Sequence, residues 1–214
     1  MISVIRSGID VALNDLDVTS NNIANAKTTG FKKRQATFAD IYGQTESIKT
    51  SGARIGLGAV TTENRLMSEQ GSLQQTGGVL DLAIEGQGMF TLVDAARPDE
   101  KLYTRDGSFT VNNEGLIANA DGMQLMSSLG ATITVPMTAN TATTVNGTET
   151  FTEVPLTGVA IRNDGRVEAT YGKNNTFFVG QIGLANFADP NRLTPIGQNY
   201  FRENTRSGAG ILGA

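Results

Sequence analysis

The hydrophobic period of this chain changes once, and that change limits the folds open to it. Near the start, Ile2, Ile5, Ile9, Ala12, Leu16, Thr19 and Ile23 recur at alternating spacings of three and four. That is the seam pattern of a helix packing on another helix. Val4, Val11 and Val18 recur every seven residues and widen the stripe, while Asp10, Asn14, Asp15 and Asp17 fill the rest. A helix packed on its own domain would show a broader apolar face. From about Leu80 the period is two, with frequent turn signals. The expected class is α+β, mainly β: a coiled-coil-type helix, an extended segment, then an antiparallel sandwich or irregular barrel.

The boundaries follow from the same pattern. Residues 1–30 read as the helix, because Ser20, Asn21, Asn22 and Asn25 weaken helix propensity and Gly30 is a natural stop. The seam is too narrow and isolated to be satisfied by its own chain, and an unpaired helix of this length is marginal in water. Residues 31–75 read as an extended linker or arm, with one strand at Ala59–Arg65 and with Gly43, Gly52, Gly56 and Gly58 among Thr and Ser. Phe31-Lys32-Lys33-Arg34 is a short basic cluster, best read as a solvated turn. Residues 76–214 read as the β-rich domain, with a Thr- and Asn-rich mobile loop near 137–155. Expected strands include Leu80–Ile84, Met89–Val93, Met123–Met126 and Phe177–Leu184. Asn112-Asn113-Glu114-Gly115, Asp121-Gly122 and Asn163-Asp164-Gly165 supply tight turns between strands.

Composition removes whole classes of chemistry. The 214 residues contain no Cys and no His, which excludes a thiolate nucleophile, a Ser-His-Asp relay, an imidazole shuttle and an ordinary zinc site. A net charge of −4 argues against a general nucleic-acid binder. No apolar run is long enough to span a membrane, and Asp10, Asp15 and Asp17 break any signal-peptide core. Gly86-Gln87-Gly88 has Thr91 where a dinucleotide loop needs a third Gly, and a strand follows it, so a turn is expected. The loops at Asn112–Gly115 and Asn163–Gly165 lack the distal Glu of a calcium site. Asn146 and Asn174 begin Asn-x-Thr triplets, which matter only in a secreted eukaryotic chain. No catalytic residue, metal or cofactor is expected. The rival readings are a carboxylate-based cell-wall glycan hydrolase, with Asp81, Glu85, Asp94 and Asp106 as its acidic candidates, and a cytoplasmic binding module.

The stretch Leu16-Asp17-Val18-Thr19-Ser20-Asn21-Asn22-Ile23-Ala24-Asn25-Ala26-Lys27-Thr28-Thr29-Gly30-Phe31-Lys32 resembles the signature of bacterial flagellar rod–hook axial proteins. Leu80–Phe90 is similar to the family's strand pair, and Tyr103-Thr104-Arg105-Asp106-Gly107-Ser108-Phe109 to its turn. Val179–Ile182, Gly197–Tyr200 and Ser207-Gly208 resemble the close of its β domain. The resemblance implies a structural subunit of the basal-body rod or hook, exported through the flagellar type III apparatus without a cleaved signal. Its implied partners are copies of itself and other flagellar axial proteins. It implies terminal helices stacked into a tube that passes torque, with the β domain outside. The family's second amphipathic helix does not appear before Ala214. The space at Met137–Pro155 is rod-like in size, whereas Thr37–Tyr42 and Gly183–Ala188 are worded more like hook proteins.

Overall fold

A computed structural model describes residues 2–42, 56–67, 69–145, 148–173 and 175–213. Asn146, Asn174, Gly43 and Gly52 lie outside them. The chain divides into two compact units, Met1–Glu69 and Gln70–Ala214.

The described residues of the first unit form one helix on a two-stranded ladder. Helix α1 covers Ile2–Ala24. Strand β1, Arg34–Tyr42, pairs antiparallel with β2, Gly56–Leu66. The strand expected at Ala59–Arg65 lies inside β2. Its partner β1 lies within the segment read as an extended linker or arm and was not itself expected as a strand: Thr37, Phe38, Ile41 and Tyr42 suit a pleated surface, but the basic residues before them obscure the period. Bulges between Thr37 and Phe38 and between Ile41 and Tyr42 interrupt the register.

The second unit is a β fold with one shared core. Its first strands are β3 (Met89–Asp94), β4 (Arg97–Thr104), β5 (Phe109–Val111), β6 (Ile117–Asn119) and β7 (Gln124–Leu125). A long hairpin, β8 (Thr138–Val145) and β9 (Thr148–Ile161), leads into β10 (Arg166–Tyr171) and β11 (Asn175–Gln181). The chain ends with β12 (Leu184–Asn186), β13 (Thr194–Gly197), β14 (Tyr200–Arg202) and β15 (Ile211–Gly213). One sheet has the order β11-β10-β9-β8; the other runs β13-β14-β4-β3-β7-β6-β5, with β12 joining β3 to β15. Phe90, Leu92, Ile117 and Leu125 from the larger sheet share a buried cluster with Val167, Ala169 and Tyr171 from the smaller. All strand pairs among the described residues are antiparallel, so the class is α+β, mainly β.

Two segments depart from the sequence reading. The loop expected near 137–155 is the β8–β9 hairpin, which keeps an unshifted register from Thr138↔Pro155 to Val145↔Thr148. Its Thr-rich composition reads as loop by polarity but as strand by β-branching. The strand expected at Leu80–Ile84 is reduced to a single bridge, Asp81↔Ser108. The turns form as expected and share one device. The side-chain oxygen of Asn112 accepts from the amides of Glu114 (3.0 Å) and Leu116 (2.8 Å), and that of Asn119 from Asp121 (3.2 Å) and Met123 (2.9 Å). Asp164 does the same for Arg166 at 3.1 Å.

Candidate assembly surface

Helix α1 has two faces of different chemistry. Ser7, Val11, Asn14, Val18, Asn22 and Asn25 are half-buried and recur at spacings of three and four, so they form one stripe. This stripe faces the β1–β2 ladder: the Ala59 amide donates to Ser7 Oγ at 3.4 Å, and Asn22 bonds the main chain of Arg34. Gly58, at φ 115°, makes the closest approach. A Cβ built there would lie 2.1 Å from Ser7 Oγ and 3.5 Å from Val4 Cα.

The opposite face carries the apolar residues singled out in the sequence. Ile2 is 84% exposed, Ile5 63%, Ile9 55%, Leu16 61% and Ile23 71%, and Ala12 is exposed as well. Leu13, at 54%, borders them. The structure thus brings Ile2, Ile5, Ile9, Ala12, Leu16 and Ile23 together on one free face. It separates Val11 and Val18 from them: both belong to the inner stripe and do not widen the outer one.

The signature residues around the helix end act through the main chain. The amide and the Nδ2 of Asn25 both donate to the Asn21 carbonyl, at 3.1 and 3.0 Å, which satisfies an orphan acceptor of the last turn. Thr28 Oγ1 donates to Asn25 Oδ1 at 3.3 Å. Gly30 takes φ 70° and reverses the chain, leaving Phe31 half-buried. Ser20, Asn21 and Ala24 are exposed. Of the basic cluster, Lys33 pairs with Glu69 at 2.5 Å and holds that carboxyl below its usual range. Lys32 Nζ donates to the Glu69 carbonyl at 3.1 Å.

Two of the acidic candidates of the hydrolase reading, Asp94 and Asp106, hold turns. Asp94 accepts from the Ala96 amide at 2.9 Å and pairs with Arg97 at 3.4 Å. Asp106 accepts from the Ser108 amide at 3.2 Å and hydroxyl at 2.9 Å. Asp81 lies at the Ser108 bridge, and Glu85 is exposed just before the Gly86–Gly88 turn. Among the described residues no helix is long and apolar enough to cross a membrane.

Residues 4–32 match the family described as Flagella basal body rod protein, and residues 83–169 match the Flagellar hook protein FlgE/F/G D1 domain. The chain is 34% identical to the flagellar basal-body rod protein FlgG of Agrobacterium fabrum, over 99% of this chain and 77% of that relative. The chain belongs to the flagellar rod–hook axial protein family. FlgG of Bacillus subtilis is also 34% identical, over 97% of this chain and 76% of its own length. The flagellar hook protein FlgE of Helicobacter mustelae is 38% identical over a shorter stretch, 54% of this chain and 28% of that protein. The rod match spans both stripes of α1 from Val4 onward and the Asn22–Asn25 end. The D1 match covers β3 through most of β10, so the family relation reaches both units.

Proposed function

We propose that this chain is a non-enzymatic structural subunit of the bacterial flagellar rod–hook axis, and that the outer stripe of α1 is the surface through which it assembles. The observation that carries this reading is the pairing of family membership with an exposed aliphatic row on the face of α1 turned away from its own ladder. Large aliphatic side chains held in water each forgo about 1.5–3 kcal/mol of burial. A neighbouring helix that covers Ile2, Ile5, Ile9, Ala12, Leu16 and Ile23 recovers it in every subunit of a polymer. Its partners are copies of itself and other flagellar axial proteins, and its place is the rod or hook of the basal body. The flagellar type III export apparatus is the route by which it leaves the cell, and the tube it helps build passes motor torque outward.

The test is to tag the chain at an exposed β turn, such as Asn163–Gly165, and purify basal bodies from a motile strain. The tagged chain is expected in the rod–hook fraction and, when assembly is blocked, in the medium. Its retention among cytoplasmic proteins, absent from basal bodies, would contradict the reading.

A further inference from the structure

Asn22 has a chemical role in the first unit that its apolar neighbours do not. Its Nδ2 donates to the Arg34 carbonyl at 2.7 Å, and its Oδ1 accepts from the Arg34 amide at 2.9 Å. One carboxamide therefore satisfies both main-chain groups of the first residue of β1, as a neighbouring strand would. It bridges the reversal through Gly30 and fixes where the ladder begins relative to the helix. Toward the other end of α1, Ser7 accepts from Ala59 of β2 where Gly58 lets the two backbones close in. The inner stripe between these points is thinly apolar: Val11 and Val18 flank Asn14, whose Oδ1 is buried and has no hydrogen-bond partner among the described residues. Apolar burial alone holds this face weakly, so the directed bonds at its ends decide the helix's rotation.

We infer that Asn22, assisted by Ser7, is a positioning residue for assembly: its two bonds to Arg34 lock the rotation of α1 on the β1–β2 ladder, so that the Ile2–Ile23 stripe faces outward toward the next subunit. The inference rests on the assembly reading above. Rotating the helix by one residue position would move the stripe by about 100°, carrying Ile9 and Leu16 off the contact. Asn21, adjacent in sequence, is exposed and faces elsewhere, so the two asparagines are not interchangeable.

The experiment uses the full chain in dilute solution, with hydrogen exchange followed in peptides covering residues 2–24 and 34–42. Asn22→Ala is expected to speed exchange in both peptides on the order of tenfold, the loss of two main-chain-directed bonds. Asn21→Ala is expected to leave both unchanged or slower. The sign is diagnostic, because Ala is the better helix former. A residue that mattered only through helix propensity would slow exchange when replaced. Exchange in Asn22→Ala equal to or slower than the parent would overturn the inference, as would parent exchange in residues 2–24 as fast as in an unfolded chain. In a strain lacking the gene, Asn22→Ala is expected to yield few assembled basal bodies while the second unit melts normally. Normal assembly by Asn22→Ala, when the Ile9→Asp and Leu16→Asp pair fails, sinks the positioning role alone. Normal assembly by both sinks the stripe itself.

Discussion

Arg105 holds the turn before β3 through Gly88: its Nε donates to the Gly88 carbonyl at 3.0 Å, and its Nη2 donates to the Gly86 carbonyl at 2.5 Å. The guanidinium fork suits two carbonyls on one turn, where an ammonium would reach one. Gly86 and Gly88 take φ 90° and 118°, so the turn itself is open only to glycine without strain. Arg105→Lys is expected to lower the melting temperature modestly. Arg105→Ala is expected to cost about 1–3 kcal/mol, since the carbonyls lose their donors. Thermal melts followed by circular dichroism check the order; equal melting temperatures for parent and Arg105→Ala would refute it.

The neighbouring Gly107 is constrained by space. A Cβ there would lie 1.8 Å from the Leu82 carbonyl oxygen, whose own amide donates to the Gly107 carbonyl at 2.9 Å. Gly107→Ala is therefore expected to be more damaging than Arg105→Ala, by the same melting measurement, because backbone on both sides must shift.

Alkaline pH should weaken the second unit through Tyr200. Burial, then a hydrogen bond to Asp121, pushes its phenol up to about 12. The folded chain thus binds this proton more tightly than the unfolded chain, whose tyrosines titrate near 10. The contribution is whole below pH of about 10 and is lost as pH rises toward about 12. Tyr103 moves in the same direction, by burial and then by its 2.9 Å bond to Glu203. Melting temperature should fall across that window, and Tyr200→Phe should flatten the fall even though it lowers stability at neutral pH. An unchanged slope in Tyr200→Phe would place the loss elsewhere.

Residues 70–214 should fold without the first unit. The buried cluster from Ile84 to Tyr200 lies wholly inside that segment. A chain starting at Gln70 is expected to melt cooperatively with the β signal intact. A cut after residue 30 strips the β1–β2 ladder of its helix, and two strands alone are marginal in water. That shorter deletion should leave residues 34–42 and 56–66 unprotected in hydrogen exchange while the second unit melts as before. Loss of cooperative melting in 70–214 would show that the units depend on each other.

Local chemistry made much of this fold legible. The spacing of Ile2 to Ile23 marked the helix and its free face, and Asn112–Gly115, Asp121-Gly122 and Asn163–Gly165 marked turns; that Asn119 holds the middle one through its side chain emerges only in the structure. What stayed hidden was pairing at a distance and polarity at an interface. Nothing local to Tyr200 says that it pairs with Thr104 of β4. Ser7, Asn14 and Asn22 are polar, so a search for apolar period passes over the stripe by which α1 meets its ladder. Val11 and Val18 were legible as apolar but not as inward, because a heptad spacing alone does not say which face it serves. Thr138–Val145 hid a strand in residues that polarity alone assigns to a loop.

The most direct test of the assembly surface replaces Ile9 and Leu16 together with Asp. Both are exposed on the outer stripe, so the monomer should fold as before, with the same melting temperature. In a packed interface each unpaired carboxylate costs several kcal/mol, and every subunit carries the pair. Asp10→Asn with Asp17→Asn, exposed changes off the stripe, is the control; Asn14 does not serve, because it lies on the inner face. Complementation of a strain lacking the gene, scored by isolated basal bodies and swimming, should show no assembly with Ile9→Asp and Leu16→Asp and normal assembly with the control. Normal basal bodies and motility with both aspartates in place would contradict the account.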